Sequence, residues 1–488
     1  MRVRIIGGGV AGLSLAIALG RRADIDAITV YERETSDTLP RKLGHGLILM
    51  ANGVAALEEI DAGDVLEGSS ALRRTVIQDG DGAPMQTEPM GEVFSATRAA
   101  IVEGLRTRLG ASTLRLAHRC VEVHLEATHS GRSRVCALSF AGSGREEIAE
   151  DELVVDASGW RSPLCAALNP GFSRKSSRVK ELVTSTSLPE LADRLGDTFV
   201  KTVFPERGVA FGMLAPTAER VIGFLQFDSE RITQPARGAT EGAIRSFLRE
   251  HLRDAPPLVQ HYIEHADLST AHVWHPVDAD LPPLLHCDNA VLIGDAAHPL
   301  LPFTSQGVSA ALEDSIILAD TLGALTDATE LPQALEGFAA DRAEDVAVYV
   351  EQGRAILEDF VGASTPAALP FIDGAVSKLG EHLSLPAPRL PDLFRALDFD
   401  GNGVLDRPEV RRALDHLGLS EDLARTFDDL DVDRSGGIDH EELRLGLRSA
   451  PKSDSSGLFR LRCKLTPRGI GSLLSVVNCE RDGAQRHR

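Results

Sequence analysis

The amino-acid sequence predicts an α/β chain with an appended all-α module, and three observations carry that prediction. A β-branched run at residues 2–6 ends in Gly7, Gly8 and Gly9 and passes into an apolar helical period; alternating apolar runs fill 198–227; and two acid-rich loops begin at 398 and 431, 33 residues apart. At 488 residues the chain exceeds one typical core of about 100 to 200 residues, so several cooperating domains are expected.

Composition narrows the partners. The 51 Lys and Arg against 72 Asp and Glu give a net charge of −21, which repels nucleic acid and anionic lipid. Within that balance, 391–450 holds 15 acidic and 8 basic side chains, whereas 451–488 holds 3 and 8, so an acidic module precedes a basic tail. The 6 cysteines are scattered without ligand spacing, which suggests neither a zinc site nor a disulfide framework and fits a reducing, cytoplasmic setting. No apolar run approaches the roughly 18 residues that span a bilayer.

The first elements read as strand, tight turn and helix. Gly7, Gly9 and Gly12 form G-x-G-x-x-G ahead of "VAGLSLAIALGRR". The first glycine permits the turn, the second lets backbone approach a pyrophosphate, and the third lets helix pack on strand. The helix N-terminus, including Ala11, would face the phosphates. A second strand, "AITVYERE", ends at Glu32, 20 residues after Gly12, where a carboxylate would accept hydrogen bonds from a ribose, with Arg33 beside it. This is a Rossmann-type cradle, and it leaves open which dinucleotide is bound.

The stretch "NAVLIGDAAHPLLPFTSQGVSAALEDSIILADTL", residues 289–322, reads as a buried strand ending at Asp295, a Pro-containing loop, and a helix opened by Gly307. At these residues the chain resembles the flavin-dependent aromatic hydroxylases of the para-hydroxybenzoate hydroxylase type. The resemblance covers roughly residues 1–380 and implies FAD. Asp295 would hold the ribityl chain, Pro302 would lie beside the flavin ring, and Gly307 with Val308 would present backbone to its pyrimidine end. Arg98 falls at an FAD-contacting position, Arg41 or Lys42 could neutralise the pyrophosphate, and 41–60 would pass the flavin. His45 and His298 are the candidate acid or base groups, His45 preferred. The family's usual Asp-Gly pair reads "LVVDASGWRS" here, with Ser158 before Gly159 and Asp156 as a possible substitute.

The resemblance also implies NAD(P)H as a transient co-substrate and dioxygen taken up as a hydroperoxyflavin whose terminal oxygen passes to an aromatic or polycyclic molecule. The expected organisation is an FAD-binding domain at 1–180, completed by 281–385, around an inserted β-sheet substrate domain at 181–280. In that sheet "TFVKTVF", "GVAFGMLA" and "RVIGFLQF" are three strands, and Phe204, Phe211, Phe224 and Phe227 either line a pocket or pack the sheet. A flavin-dependent halogenase or reductase is the competing enzyme class. Trp160 and Trp274 stand in unrelated contexts, so the halogenase tryptophan element is missing.

Three prolines in "LSLPAPRLPDL" mark a linker, and a module spans 388–450. Its first loop places Asp398, Asp400, Asn402, the Val404 carbonyl, Asp406 and Glu409 at the ligand positions of an EF-hand, with Gly403 at the turn. Its second repeats the pattern with Asp431, Asp433, Ser435, the Gly437 carbonyl, Asp439 and Glu442, around Gly436. Leu405 and Ile438 fall where paired loops join by a short ladder. The expectation is a calcium-binding pair that staples its own small domain or regulates the flavin site, with a protein partner possible. The tail at 451–488 either docks on this module or stays disordered. A calcium-responsive binding protein on an inactive flavin fold is the non-enzymatic alternative.

Overall fold

The computed structural model describes residues 1–22, 25–35, 46–110, 112–128, 131–362, 404–411, 427, 430–431 and 434–438. The chain divides into two compact units, Met1–Leu383 and Ser384–Arg488. Among the described residues, no helix is long and apolar enough to cross a membrane.

"AVL" and the centre of "ELVVD" are apolar on both faces because both faces are covered, as parallel strands require, whereas "RVRII" keeps Arg2 and Arg4 half-buried in ion pairs on one face. They form a six-stranded sheet in the order His286–Cys287, Ala290–Leu292, Glu152–Asp156, Arg2–Ile6, Ala27–Tyr31 and Thr113–Arg115. Every neighbouring pair is parallel except the first. The helix Val10–Gly20 is apolar nearly all round because it lies between this sheet and the helix Gly307–Gly323. Ser315 donates to the Ala11 carbonyl at 2.8 Å, pinning the first turn of Val10–Gly20 to the middle of Gly307–Gly323.

The sheet that contains 198–227 is larger than the sequence suggests. The three expected strands are present, but the sheet has eight, and Leu47–Leu49, Ser70–Gln78 and Pro84–Ala96 come from the segment assigned to the first part of the FAD-binding domain. The strand Thr198–Phe204 runs parallel to Ser70–Gln78, pairing residues more than 120 positions apart. One face of this sheet packs on the helices Glu241–His251 and Pro257–His265. The other faces the parallel sheet. The helix Leu331–Gly362 completes this unit, its Phe360 packing with Leu301 and Phe303.

In the second unit Leu405 and Ile438 exchange backbone hydrogen bonds of 2.7 and 2.9 Å as an isolated antiparallel bridge.

Candidate active site

Between the two sheets lies one continuous cavity of about 930 Å³, lined at one end by Gly7, Gly8 and Gly9 and at the other by the eight-stranded sheet. The cradle end is built by close backbone contacts. Gly7 has φ +109°, and a Cβ there would stand 2.4 Å from the Ala157 carbonyl oxygen. A Cβ on Gly12 would stand 2.0 Å from the Gly7 oxygen. A Cβ on Gly9 would meet nothing within 4 Å, because Gly9 faces open cavity. Gly9 is also the N-cap of Val10–Gly20, with no side chain capping it, which leaves the first-turn N–H groups of Val10, Ala11 and Gly12 for a ligand. These uncapped N–H groups beside a glycine turn make an anion cradle.

Glu32 is tied in place by backbone: Gly8 N–H donates to one oxygen at 2.9 Å and Glu34 N–H to the other at 2.8 Å. A carboxylate accepts more than one hydrogen bond per oxygen, so it can still take a ribose hydroxyl. Arg33 lines the same end and pairs with Glu34 at 3.4 Å.

Asp295 sits in the turn Gly294–Ala296 and lines the cavity beside the cradle helix, since a Cβ on Gly294 would stand 3.2 Å from the Ala11 Cβ. Protein around it pushes its carboxyl up, opposed by the charges of Arg98, His298 and Arg174. Arg98, on the cavity wall at the start of Arg98–Arg106, is therefore close enough for its charge to act on Asp295. Pro302 opens a one-turn segment, Pro302–Thr304, closed by Ser305 at φ +55°, and Gly307 and Val308 begin the 17-residue helix whose N-cap side chain leaves its amides uncapped. The cavity thus meets two uncapped helix N-termini with Asp295 between them, a layout that fits a dinucleotide joined to a polar chain.

Two candidate residues of the sequence lie away from the cavity. Asp156 does not reach the cavity. It is fully buried and its oxygens accept from Ser158 N–H at 2.8 Å, Ser162 O–H at 2.7 Å and Leu164 N–H at 3.1 Å, so it shapes the turn after its strand. His298 is likewise absent from the cavity wall: its Nε2 lies 2.6 Å from Asp314, and Arg342 holds the other Asp314 oxygen at 2.7 Å. Arg41, Lys42 and His45 lie outside the described residues, as do Asp398, Asp400, Asn402, Gly403, Asp433, Asp439 and Glu442. Of the second-unit loop residues that are described, Asp406 and Glu409 bond each other's backbone N–H groups, Gly436 has φ +87°, and its N–H donates to Asp431 at 3.0 Å.

Of the four sheet phenylalanines, only Phe224 lines the cavity; Phe204, Phe211 and Phe227 pack against the helices on the far face. Sequence reasoning missed Phe199, Glu181, Lys201 and Gln226, which share the cavity wall with it. The available signal was "TFVKTVF", where Lys201 occupies the position facing the same way as Phe199 and Val203.

A family model described as "FAD binding domain" matches residues 101–352, and the chain belongs to that family, the FAD-dependent aromatic monooxygenases. A model described as "EF hand" matches residues 423–447. The chain is 27% identical over 376 residues to 3-amino-4-hydroxybenzoate 2-monooxygenase of Streptomyces cremeus, covering 74% of this chain and 88% of that protein. It is 31% identical over 341 residues to an enzyme of the same activity from Streptomyces platensis, covering 66% and 80%. In fold it resembles HpxO of Klebsiella pneumoniae, solved with FAD and uric acid, at a TM-score of 0.64 and 21% identity, over 78% of this chain and 93% of that one.

Proposed function

We propose that this protein is an NAD(P)H-consuming monooxygenase that hydroxylates or epoxidises an aromatic or polycyclic small molecule, with a calcium-binding C-terminal module. The observation that carries the reading is the single cavity that joins an uncapped glycine cradle, Asp295 and an apolar sheet face. Bound FAD would supply electrons drawn from the nicotinamide and the activation of dioxygen, chemistry that side chains lack. The chain supplies placement. Backbone N–H groups of Val10 and Ala11 would hold the pyrophosphate, Glu32 a ribose, Asp295 the ribityl hydroxyls, and Arg98 the charge beside it. Gly307 and Val308 would present N–H groups to the flavin ring, and Pro302 would border it. The sheet face, with Ile77, Leu214, Ile222 and Phe224, excludes water from the substrate end. Relatives named for aminohydroxybenzoate support an aromatic substrate.

Calcium would be held by Asp398, Asp400, Asn402, Val404, Asp406 and Glu409 in one loop and Asp431, Asp433, Ser435, Gly437, Asp439 and Glu442 in the other. The Leu405–Ile438 bridge and the positive φ of Gly436 support that reading.

The test is NAD(P)H oxidation by the yellow protein against a panel of aromatics, alongside Asp295→Ala. The wild type is expected to show substrate-stimulated oxidation. Asp295→Ala is expected to lose FAD affinity by about tenfold or more, as loss of a charge-assisted hydrogen bond implies. Unchanged flavin retention in the variant would remove Asp295 from the site, and no stimulation by any aromatic would sink the monooxygenase reading.

A further inference from the structure

The wall of the cavity opposite the cradle carries three polar side chains in an apolar sheet. Glu181 and Gln226 face each other across neighbouring strands, and Gln226 donates its side-chain N–H to Glu181 at 2.6 Å. Lys201 lies two strands further on, in the row of Gly212, Phe224 and Val183. All three line the cavity.

Their partners are incomplete. Glu181 and Gln226 are 5% and 3% exposed, and the Gln226 oxygen is buried with no hydrogen-bond partner among the described residues. Turning the amide over would set its oxygen against an ionised Glu181 carboxylate, which the orientation with the amide N–H toward Glu181 avoids. No ion pair or hydrogen bond of Lys201 occurs among the described residues, although its charge interacts with Glu181. Burial pulls its amine down to about 8, opposed by Glu181, and burial pushes Glu181 up. A lone amine among Phe199, Val203 and Ile77 is a poor choice for packing, because a desolvated charge costs free energy unless something pairs with it.

An aromatic surface adjoins the polar one. Gly212 carries no Cβ, and one built there would stand 2.2 Å from the Phe224 ring, so that ring lies across the strand. Phe199 stacks on it with centroids 6.0 Å apart. The Pro302 loop is close by, because Leu301 and Phe303 pack with Ile77 and Val203, the neighbours of Lys201 in the sheet.

Resting on the monooxygenase reading of this cavity, we propose that Lys201, Gln226 and Glu181 select the substrate: an aromatic ring whose edge bears an anionic group for Lys201 beside a hydrogen-bond donor for the Gln226 oxygen and Glu181. The ring itself lies against Phe199 and Phe224. The carboxylate completes the lysine, and the donor completes the glutamine.

The experiment is calorimetric titration of the FAD-loaded protein with anthranilate, anthranilamide and benzoate. Wild type is expected to bind anthranilate about tenfold or more tightly than either relative, the scale of one ionic or buried hydrogen bond. Lys201→Met is expected to lose the preference for anthranilate over its amide and Lys201→Arg to keep it, with Lys201→Gln reading the same loss if the Met variant folds poorly. Gln226→Leu is expected to lose the preference over benzoate alone. Equal affinities in wild type, failure of anthranilate to bind, or preferences that survive Lys201→Met and Gln226→Leu each overturn the assignment. Calorimetry reads affinity without turnover, so failure of NAD(P)H oxidation with these ratios intact would sink the monooxygenase reading alone.

Discussion

At Gly12 a single methyl group decides whether the cradle closes, because the Cβ of alanine would lie 2.0 Å from the Gly7 oxygen, backbone that cannot swing aside. Gly12→Ala is therefore expected to abolish FAD retention while leaving the eight-stranded sheet folded. Flavin absorbance per protein and circular dichroism check this together, and a variant that stays yellow would contradict it. Gly7→Ala adds about 1–3 kcal/mol of backbone strain from its positive φ. These glycines were legible in the sequence because backbone contacts admit no other residue. Asp295 and Arg98 were legible only through resemblance, since nothing local distinguishes them from surface charges. Lys201 was overlooked for a related reason: one lysine in an alternating strand usually faces water, and only the second sheet across the cavity makes its face interior.

Three elements meet at one buried carboxylate. Asp314, on Gly307–Gly323, accepts from Gly294 N–H at 2.6 Å, lies 2.6 Å from His298 and pairs with Arg342 of Leu331–Gly362 at 2.7 Å. Burial alone would raise its pKa, but the charges of His298 and Arg342 and these hydrogen bonds hold it below the usual carboxylate range. A carboxyl depressed in the fold stabilises it above its unfolded pKa of about 3.9, and the contribution is lost as pH falls through the folded value. Asp314→Asn is expected to cost about 3–5 kcal/mol at neutral pH, the usual penalty for leaving a buried charge without its partner. Urea unfolding at neutral pH and in acid checks it: the gap between wild type and variant should narrow below about pH 4, and a gap that widens there would refute the assignment. None of this network was readable in advance, since it joins residues of three elements. The same applies to sheet register: alternation marked the strands within 198–227, but not the parallel pairing of Thr198–Phe204 with Ser70–Gln78.

The two units divide between Leu383 and Ser384, at the start of the proline-rich stretch that marks the linker in the sequence. Every residue lining the cavity belongs to the first unit, which buries its own core around two sheets. The second unit concentrates carboxylates that repel one another without a cation, so its fold is the part that should depend on metal. Chelation is accordingly expected to lower the unfolding transition of Ser384–Arg488 while FAD retention and substrate-stimulated NAD(P)H oxidation stay within about twofold of the calcium-loaded protein. Calcium at about 100 times its Kd would restore about 2.7 kcal/mol per occupied loop to that unit alone. Calorimetric scans and steady-state rates on the full chain, with and without chelator, decide the matter. Turnover that falls with chelator while flavin stays bound would make the calcium loops a regulator of the cavity. A second transition indifferent to chelator would mean that these loops hold no calcium.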